Sequence, residues 1–245
     1  MSIPSTVDVC PNSTRLAIRV STKVVSQFIL YAVLASLAFL FTGCAWPDFT
    51  HHAAAPVTQP RNFYRSARYI PVQIRRLAVL PVTVESADWQ AEEGRKELEP
   101  VLFAELGKLN AFELVAVTPT QLREWTGKAG WNAQEKLPSD FFEHLQNVLS
   151  CDAVLFSHLR PYRAYKPLVL GWNLKIVETK DKSILWAADE VFDASEAVVA
   201  RAAEGYCREH VENVKPLADS SSILNSPRRF SQYTLSALLA TLPER

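Results

Sequence analysis

Glycine is scarce, neither sign of charge is in excess, and no apolar run has the length of a comfortable membrane span. The chain has 245 residues, of which only 7 are glycine and 1 is methionine. It contains no Gly-x-Gly-x-x-Gly and no Walker-type loop, so the common backbone cradles for nucleotide phosphates are excluded. Lys plus Arg equals Asp plus Glu at 26 each. Taking away residues 1–43 removes Arg15, Arg19, Lys23 and Asp8 and leaves a net charge of −2. Phosphate affinity comes from accumulated positive charge, so nucleic acid is not an expected partner. What is present, 48% hydrophobic and 21% charged residues, is ordinary for a globular chain of one domain or two small ones.

The N-terminus carries the strongest signal. Residues 1–23 are polar, with Arg15, Arg19 and Lys23 near their end, and Phe28 to Phe41 follows as an uncharged apolar run. A positively charged stretch ahead of a short apolar one is the pattern of a secretory signal peptide. As a helix the run spans roughly 21 Å, short of the ~30 Å hydrocarbon core. Extending it back to Val24 takes in Ser26 and Gln27 and keeps a single-pass signal anchor as the alternative. The run ends Phe41-Thr42-Gly43-Cys44, which resembles the lipobox of bacterial lipoproteins. That resemblance implies cleavage after Gly43 and lipid attachment at Cys44, with the membrane as a partner through that lipid. Two features depart from the usual pattern: Phe41 stands where Leu is common, and the stretch before the apolar run is long. Small residues before the cysteine let a peptidase grip an extended backbone, and the thiol takes the diacylglycerol. Residue 45 is Ala and not Asp, which by resemblance to lipoprotein sorting implies the periplasmic face of the outer membrane, if the host has two membranes.

The reading divides the chain into a signal peptide (1–43), a lipid-anchored Pro-rich tether (44–75) and a globular domain (76–245). The tether contains Pro47, Pro56, Pro60 and Pro71 without sustained periodicity. Within it Arg61, Arg65 and Arg68 are candidate membrane-proximal basic contacts, interleaved with Phe63, Tyr64 and Tyr69, and no acid occurs between Ala53 and Val84. A solvated linker with some docking onto the domain is the plainer alternative. After loss of Cys10 and lipidation of Cys44, Cys151 and Cys207 remain as a candidate disulfide pair, or as two separate buried thiols.

Beyond Arg76 the periodicities alternate between strand and helix. Leu77–Val84 reads as a buried strand that Pro81 must interrupt at a bulge or an edge. Glu92 to Asn110 has helical spacing, with Pro100 opening or kinking the helix. Phe112–Val117 reads as a strand, Thr118-Pro119-Thr120 as a helix start, Phe141–Leu149 as a short helix and Asp152–Ser157 as a strand. Leu168, Leu170, Trp172, Leu174 and Ile176 fall on alternate positions, the mark of a strand with one covered face. Thr179–Lys182 is its turn and Ser183–Phe192 its antiparallel partner. A helix capped by Asp193 or Ser195 and running to about Val214, then a last helix over Phe230–Leu242, complete the chain. The fold expected is α/β, a single domain with a mixed sheet of about four to five strands flanked by helices.

This order, with the first strand Arg76-Leu-Ala-Val-Leu-Pro81, the strand Phe112-Glu-Leu-Val115, Leu149-Ser-Cys-Asp-Ala-Val154 and the hairpin end Ile184-Leu-Trp-Ala-Ala-Asp189, resembles a group of envelope lipoproteins. The group includes the curli secretion lipoprotein and the lipoprotein activators of penicillin-binding proteins. Its domain is similar to the amino-terminal domain of the Tol-system translocation protein. The resemblance covers residues 76–192. It implies a protein-binding or pore-assembling role without catalysis, and an envelope protein as partner. The chain lacks the long amphipathic hairpin that a secretion pore inserts, and no activator contact residue maps onto a motif in it.

Residues with chemical potential are few. Ser157-His158 are neighbours on an expected strand, so their side chains point to opposite faces and make a poor nucleophile–base pair. Cys207, Glu209 and His210 lie close in sequence, but a lone Cys-x-x-His is a weak metal signal; His51-His52 match no fixed site, and Glu92-Glu93 read as a solvated helix face. No metal, cofactor or enzymatic activity is expected. The outer strand of the hairpin 168–192 is the expected docking edge, with Lys180 and Lys182 at its turn. The competing reading is a small-molecule or glycan binder with a pocket lined by Trp172 or Trp186.

Overall fold

In a computed structural model, residues 60–85, 89–212 and 220–245 are described. Gly43, Cys44 and the signal segment lie outside them, as do His51 and His52. The alternation of Leu77, Ala78, Val79 and Leu80 sends successive side chains to opposite faces of strand β2 (Arg76–Val79), and both faces are covered. That requirement sets the architecture. β2 lies between β4 (Glu113–Ala116) and β5 (Ala153–Arg163) and is parallel to both. Helix α1 (Trp89–Lys108) packs Leu98, Val101, Leu102 and Leu106 on one face. Helices α2 (Pro119–Thr126) and α3 (Phe141–Leu149) pack Leu122, Phe141 and Leu145 on the other.

From β5 the sheet turns antiparallel through β6 (Val169–Glu178) and β7 (Ile184–Asp193). The expected hairpin is present, with Trp172, Leu174 and Ile176 buried on the α1 side. Helices α4 (Ala197–Cys207) and α5 (Pro227–Leu239) cover that half. A π-helical turn, Arg208–Glu212, follows α4, and a 3-10 turn, Ser220–Asn225, precedes α5.

Two strands enlarge the sheet beyond the expected four to five. β3 (Thr83–Val84), after the interruption at Pro81, pairs in parallel with β5. β1 (Phe63–Arg65) pairs antiparallel with β7. Among the described residues the sheet has seven strands in the order β1-β7-β6-β5-β2-β4, with β3 added alongside β5. β1 falls inside the stretch 44–75 expected to be tether, and Ile70 and Ile74 of that stretch enter the core. The folded part therefore starts well before Arg76. The physical reason is that β7 has a free edge: Ser66 donates its N–H to Leu185 O, and Asn62 O accepts from Asp189.

Helix boundaries follow local chemistry. Thr118 caps α2 by accepting from the Gln121 N–H, and the Gln121 side chain accepts in turn from the Thr118 N–H. Gly127 ends the helix at φ 76°, a conformation that favours glycine. Thr118→Ala is expected to cost about 1 kcal/mol by chemical denaturation. Pro100 is interior to α1, because that helix begins at Trp89 and not at Pro100. No helix among the described residues is long and apolar enough to cross a membrane.

Candidate functional site

The two hairpin tryptophans do not line a pocket large enough for a ligand. Trp172 and Trp186 are both fully buried, and each indole N–H donates to a threonine, Thr234 at 3.2 Å and Thr241 at 3.0 Å. They lock α5 and the residues after it onto the sheet. The void beside Trp186 has a volume of about 10 Å³, too small for a ligand. The ligand-wall expectation for these residues is therefore corrected: an indole needs a partner for its N–H when buried, and these have one inside the core. Trp186→Phe is expected to lower stability by about 1–2 kcal/mol in urea unfolding, from the lost hydrogen bond and lost volume.

The expected docking edge is also corrected. β7 is not an outer strand over residues 186–188, because β1 covers it there. The Glu190 carboxylate accepts from the N–H groups of Arg61 and Asn62 and extends that cover. Among the described residues the strands at the two ends of the sheet are β1 and β4.

β1 and the residues around it form a basic, aromatic border. Residues 61–69 are all exposed. The Arg65 guanidinium lies over the Phe63 ring at 4.8 Å, and that of Arg68 over the Tyr69 ring at 5.4 Å. Phe63 and Arg65 share the face of Ala188 and Trp186, while Tyr64 takes the opposite one beside Ala187. Arg68 also reaches Glu244 at 4.0 Å, the outer limit of an ion pair, with both side chains in solvent. Val72 follows at 79% exposure, high for an aliphatic residue.

A second concavity, of about 440 Å³, lies at the carboxyl ends of the parallel strands. There β2 passes the chain through β3 to α1 on one face, and β4 passes it to α2 on the other, so a crevice opens where the connections diverge. The segment Pro81–Glu85 forms its floor, with Arg95, Arg123, Lys128 and Glu135 around it. Arg95 is held by Glu92 and Glu99, and Lys128 pairs with Glu135 and lies over the Trp131 ring.

In this floor the Thr83 hydroxyl meets His158 Nδ1 at 2.9 Å. Burial, then the charge of Arg160, holds the His158 pKa below its ordinary value. The unfolded chain therefore takes up a proton near pH ~6.5 that the folded chain refuses. Stability should hold above that pH and fall below it, down to the lowered folded value. Urea midpoints at about pH 7.5 and about pH 5.5 should show the loss, and His158→Gln should reduce it.

The remaining candidate residues do not converge. Cys151 and Cys207 carry thiols and belong to the two core clusters on opposite faces of the sheet, so of the two readings offered the separate buried thiols describe them and the disulfide does not. Ser157 is buried on the α1 side while His158 turns to Thr83, as strand alternation requires. Glu92 and Glu93 pair with Arg95 and Lys96. The His210 ring stacks on Tyr206 at 4.2 Å, and no group of metal-ligating side chains occurs among the described residues.

No family model matches the chain, and no curated protein matches it. Similar solved structures include the PelC dodecamer from Paraburkholderia phytofirmans, 10% identical, over 75% of this chain and 99% of that one, with a TM-score of 0.39. Lipoprotein GNA1162 from Neisseria meningitidis is 14% identical over 58% of this chain and 99% of that one, TM-score 0.36. The LpoB C-terminal domain from Salmonella enterica is 17% identical over 49% of this chain and 83% of that one, TM-score 0.32.

Proposed function

We propose that this chain is a bacterial envelope lipoprotein, cut after Gly43 and anchored by lipid on Cys44 at the periplasmic face of the outer membrane. Its α/β domain acts as an interaction module for another envelope protein and not as an enzyme. The observation that carries the reading is the apolar run Phe28–Phe41 ending in Thr42-Gly43-Cys44. The domain adds support: its tryptophans are sealed in the core, and Ser157 and His158 turn apart, while sheet edges remain for contact. Lysine-reactive cross-linking in intact cells tests it. An envelope protein should be captured by the wild type and lost when residues 1–44 are replaced by a cleavable signal peptide without a cysteine, which frees the domain from the membrane. Equal capture by both, or capture of nothing above background, counts against the module.

The cleft of about 440 Å³ favours a second reading, a lipoprotein that holds a small polar ligand. Such a ligand would raise the melting temperature of the domain, and Arg123→Glu at the cleft wall would reduce that rise.

A further inference from the structure

We propose that the border formed by Arg61, Phe63, Tyr64, Arg65, Arg68 and Tyr69 docks the domain against anionic phospholipid headgroups of the membrane that holds its anchor. The inference rests on the lipid anchoring proposed above and adds an orientation to it: the domain lies down on β1 instead of hanging from a free tether.

Charge composition points to a phosphate-bearing surface. From Arg61 to Tyr69 the chain carries three arginines and no acid, while Arg76 further on pairs with Glu113 at 3.2 Å. The Glu190 carboxylate accepts from backbone N–H groups of Arg61 and Asn62, and Glu244 meets Arg68 only at 4.0 Å in solvent, where pairing is weak. Guanidinium geometry points the same way. The Arg65 and Arg68 guanidinium carbons lie over the Phe63 and Tyr69 rings, contacts that engage no N–H, so those donors can still fork onto a phosphate.

The apolar content selects a bilayer over a free anion. Tyr64 at 53% and Tyr69 at 54% exposure, with Val72 beyond them, set amphipathic rings and an aliphatic side chain among the arginines. Aromatic rings with one apolar side and one polar tip belong at the headgroup level. Chain length puts that level within reach. Sixteen residues separate Cys44 from Arg61, at most roughly 55 Å when fully extended. Tethering at that distance turns a weak surface contact into an intramolecular one. The residues that leave the tether first are then the ones that touch the membrane first.

Tethered vesicles test the docking. Both core clusters consist of residues from Ile70 onward, so residues 45–245 retain every described core contact. This fragment, carried by an added N-terminal histidine tag on a nickel-chelating lipid, is placed on phosphatidylcholine vesicles with or without about a third phosphatidylglycerol. Hydrogen exchange of the amides from Arg61 to Val72 is then measured. Slowed exchange is expected on the anionic vesicles alone, reversed by high salt and by the triple variant R61Q/R65Q/R68Q. Near an anionic surface each arginine contributes roughly fivefold, so the triple variant should weaken docking on the order of a hundredfold. Exchange elsewhere in the domain confirms that the variant is folded. Equal exchange on the two lipid compositions, or a triple variant protected like its parent, overturns the proposal and leaves the arginines to an acidic protein surface. The tag replaces the acyl chain, so an unacylated Cys44 in cells would sink the anchoring and leave this result standing.

Discussion

Cells making the Cys44→Ala variant should put no labelled palmitate into this chain, while the wild type is labelled, and the variant should keep its signal segment uncut, because acylation precedes cleavage. The effect is all or none because only the thiol takes the diacylglycerol. Each buried methylene of an acyl chain contributes ~0.8 kcal/mol, and more than one chain makes the attachment stable. Losing a single sulfur atom should therefore remove the acyl anchor and leave only the uncut apolar run Phe28–Phe41 in the membrane. Label retained in Cys44→Ala would refute the assignment of that cysteine.

Gly171→Ala is expected to be the most damaging single methyl in the domain, costing about 3 kcal/mol or preventing soluble accumulation. The pairing of β5 with β6 shifts register between Leu159 and Tyr162, where Arg160 and Pro161 bulge opposite Gly171. A Cβ at Gly171 would come within 1.9 Å of the Arg160 carbonyl oxygen and 2.7 Å of Pro161 Cδ. Backbone atoms of a bulge cannot swing aside as the end of a long side chain can. Gly94 makes a useful comparison. A Cβ there would come within 2.4 Å of the Tyr162 ring, but that is a side chain, free to rotate at a cost. Urea unfolding should rank Gly171→Ala as the more destabilising of the two. The reverse order would mean that the bulge can be remodelled.

The same bulge shows where the sequence stops being legible. Asp152–Ser157 reads as a strand that stops at Ser157. The strand continues to Arg163 because Gly171 in the partner leaves room for two residues opposite it, one more than a regular ladder holds. Gly171, lying between the alternating Leu170 and Trp172, is the trace of that event. The hairpin itself is legible, since burying one face imposes alternation on Leu168–Ile176. Phe141–Leu149 is likewise found as expected, with Phe141 and Leu145 on the buried face of α3. β1 is different. Phe63-Tyr64-Arg65 has no pattern of its own, is exposed throughout, and is a strand only because β7 offers it a ladder.

The candidate surfaces divide along the same line. The arginines of the border stand in one local run and are visible as a cluster, although the placing of Arg65 over Phe63 and of Arg68 over Tyr69 is not. The cleft is assembled from Pro81–Glu85, Arg95, Arg123 and Lys128–Gly130, segments that only the crossing of the chain between sheet faces brings together. No spacing in the sequence encodes it. Thr83 and His158 are 75 positions apart, and their contact comes from the parallel pairing of β3 with β5.

One measurement bears on everything that depends on the anchor: the intact mass and first residue of the mature chain isolated from cell membranes. The account predicts a polypeptide that starts at Cys44 and is heavier than its residues by diacylglycerol. A chain of full length, starting at Met1 and carrying no fatty acid, would contradict it and leave a signal-anchored protein in its place.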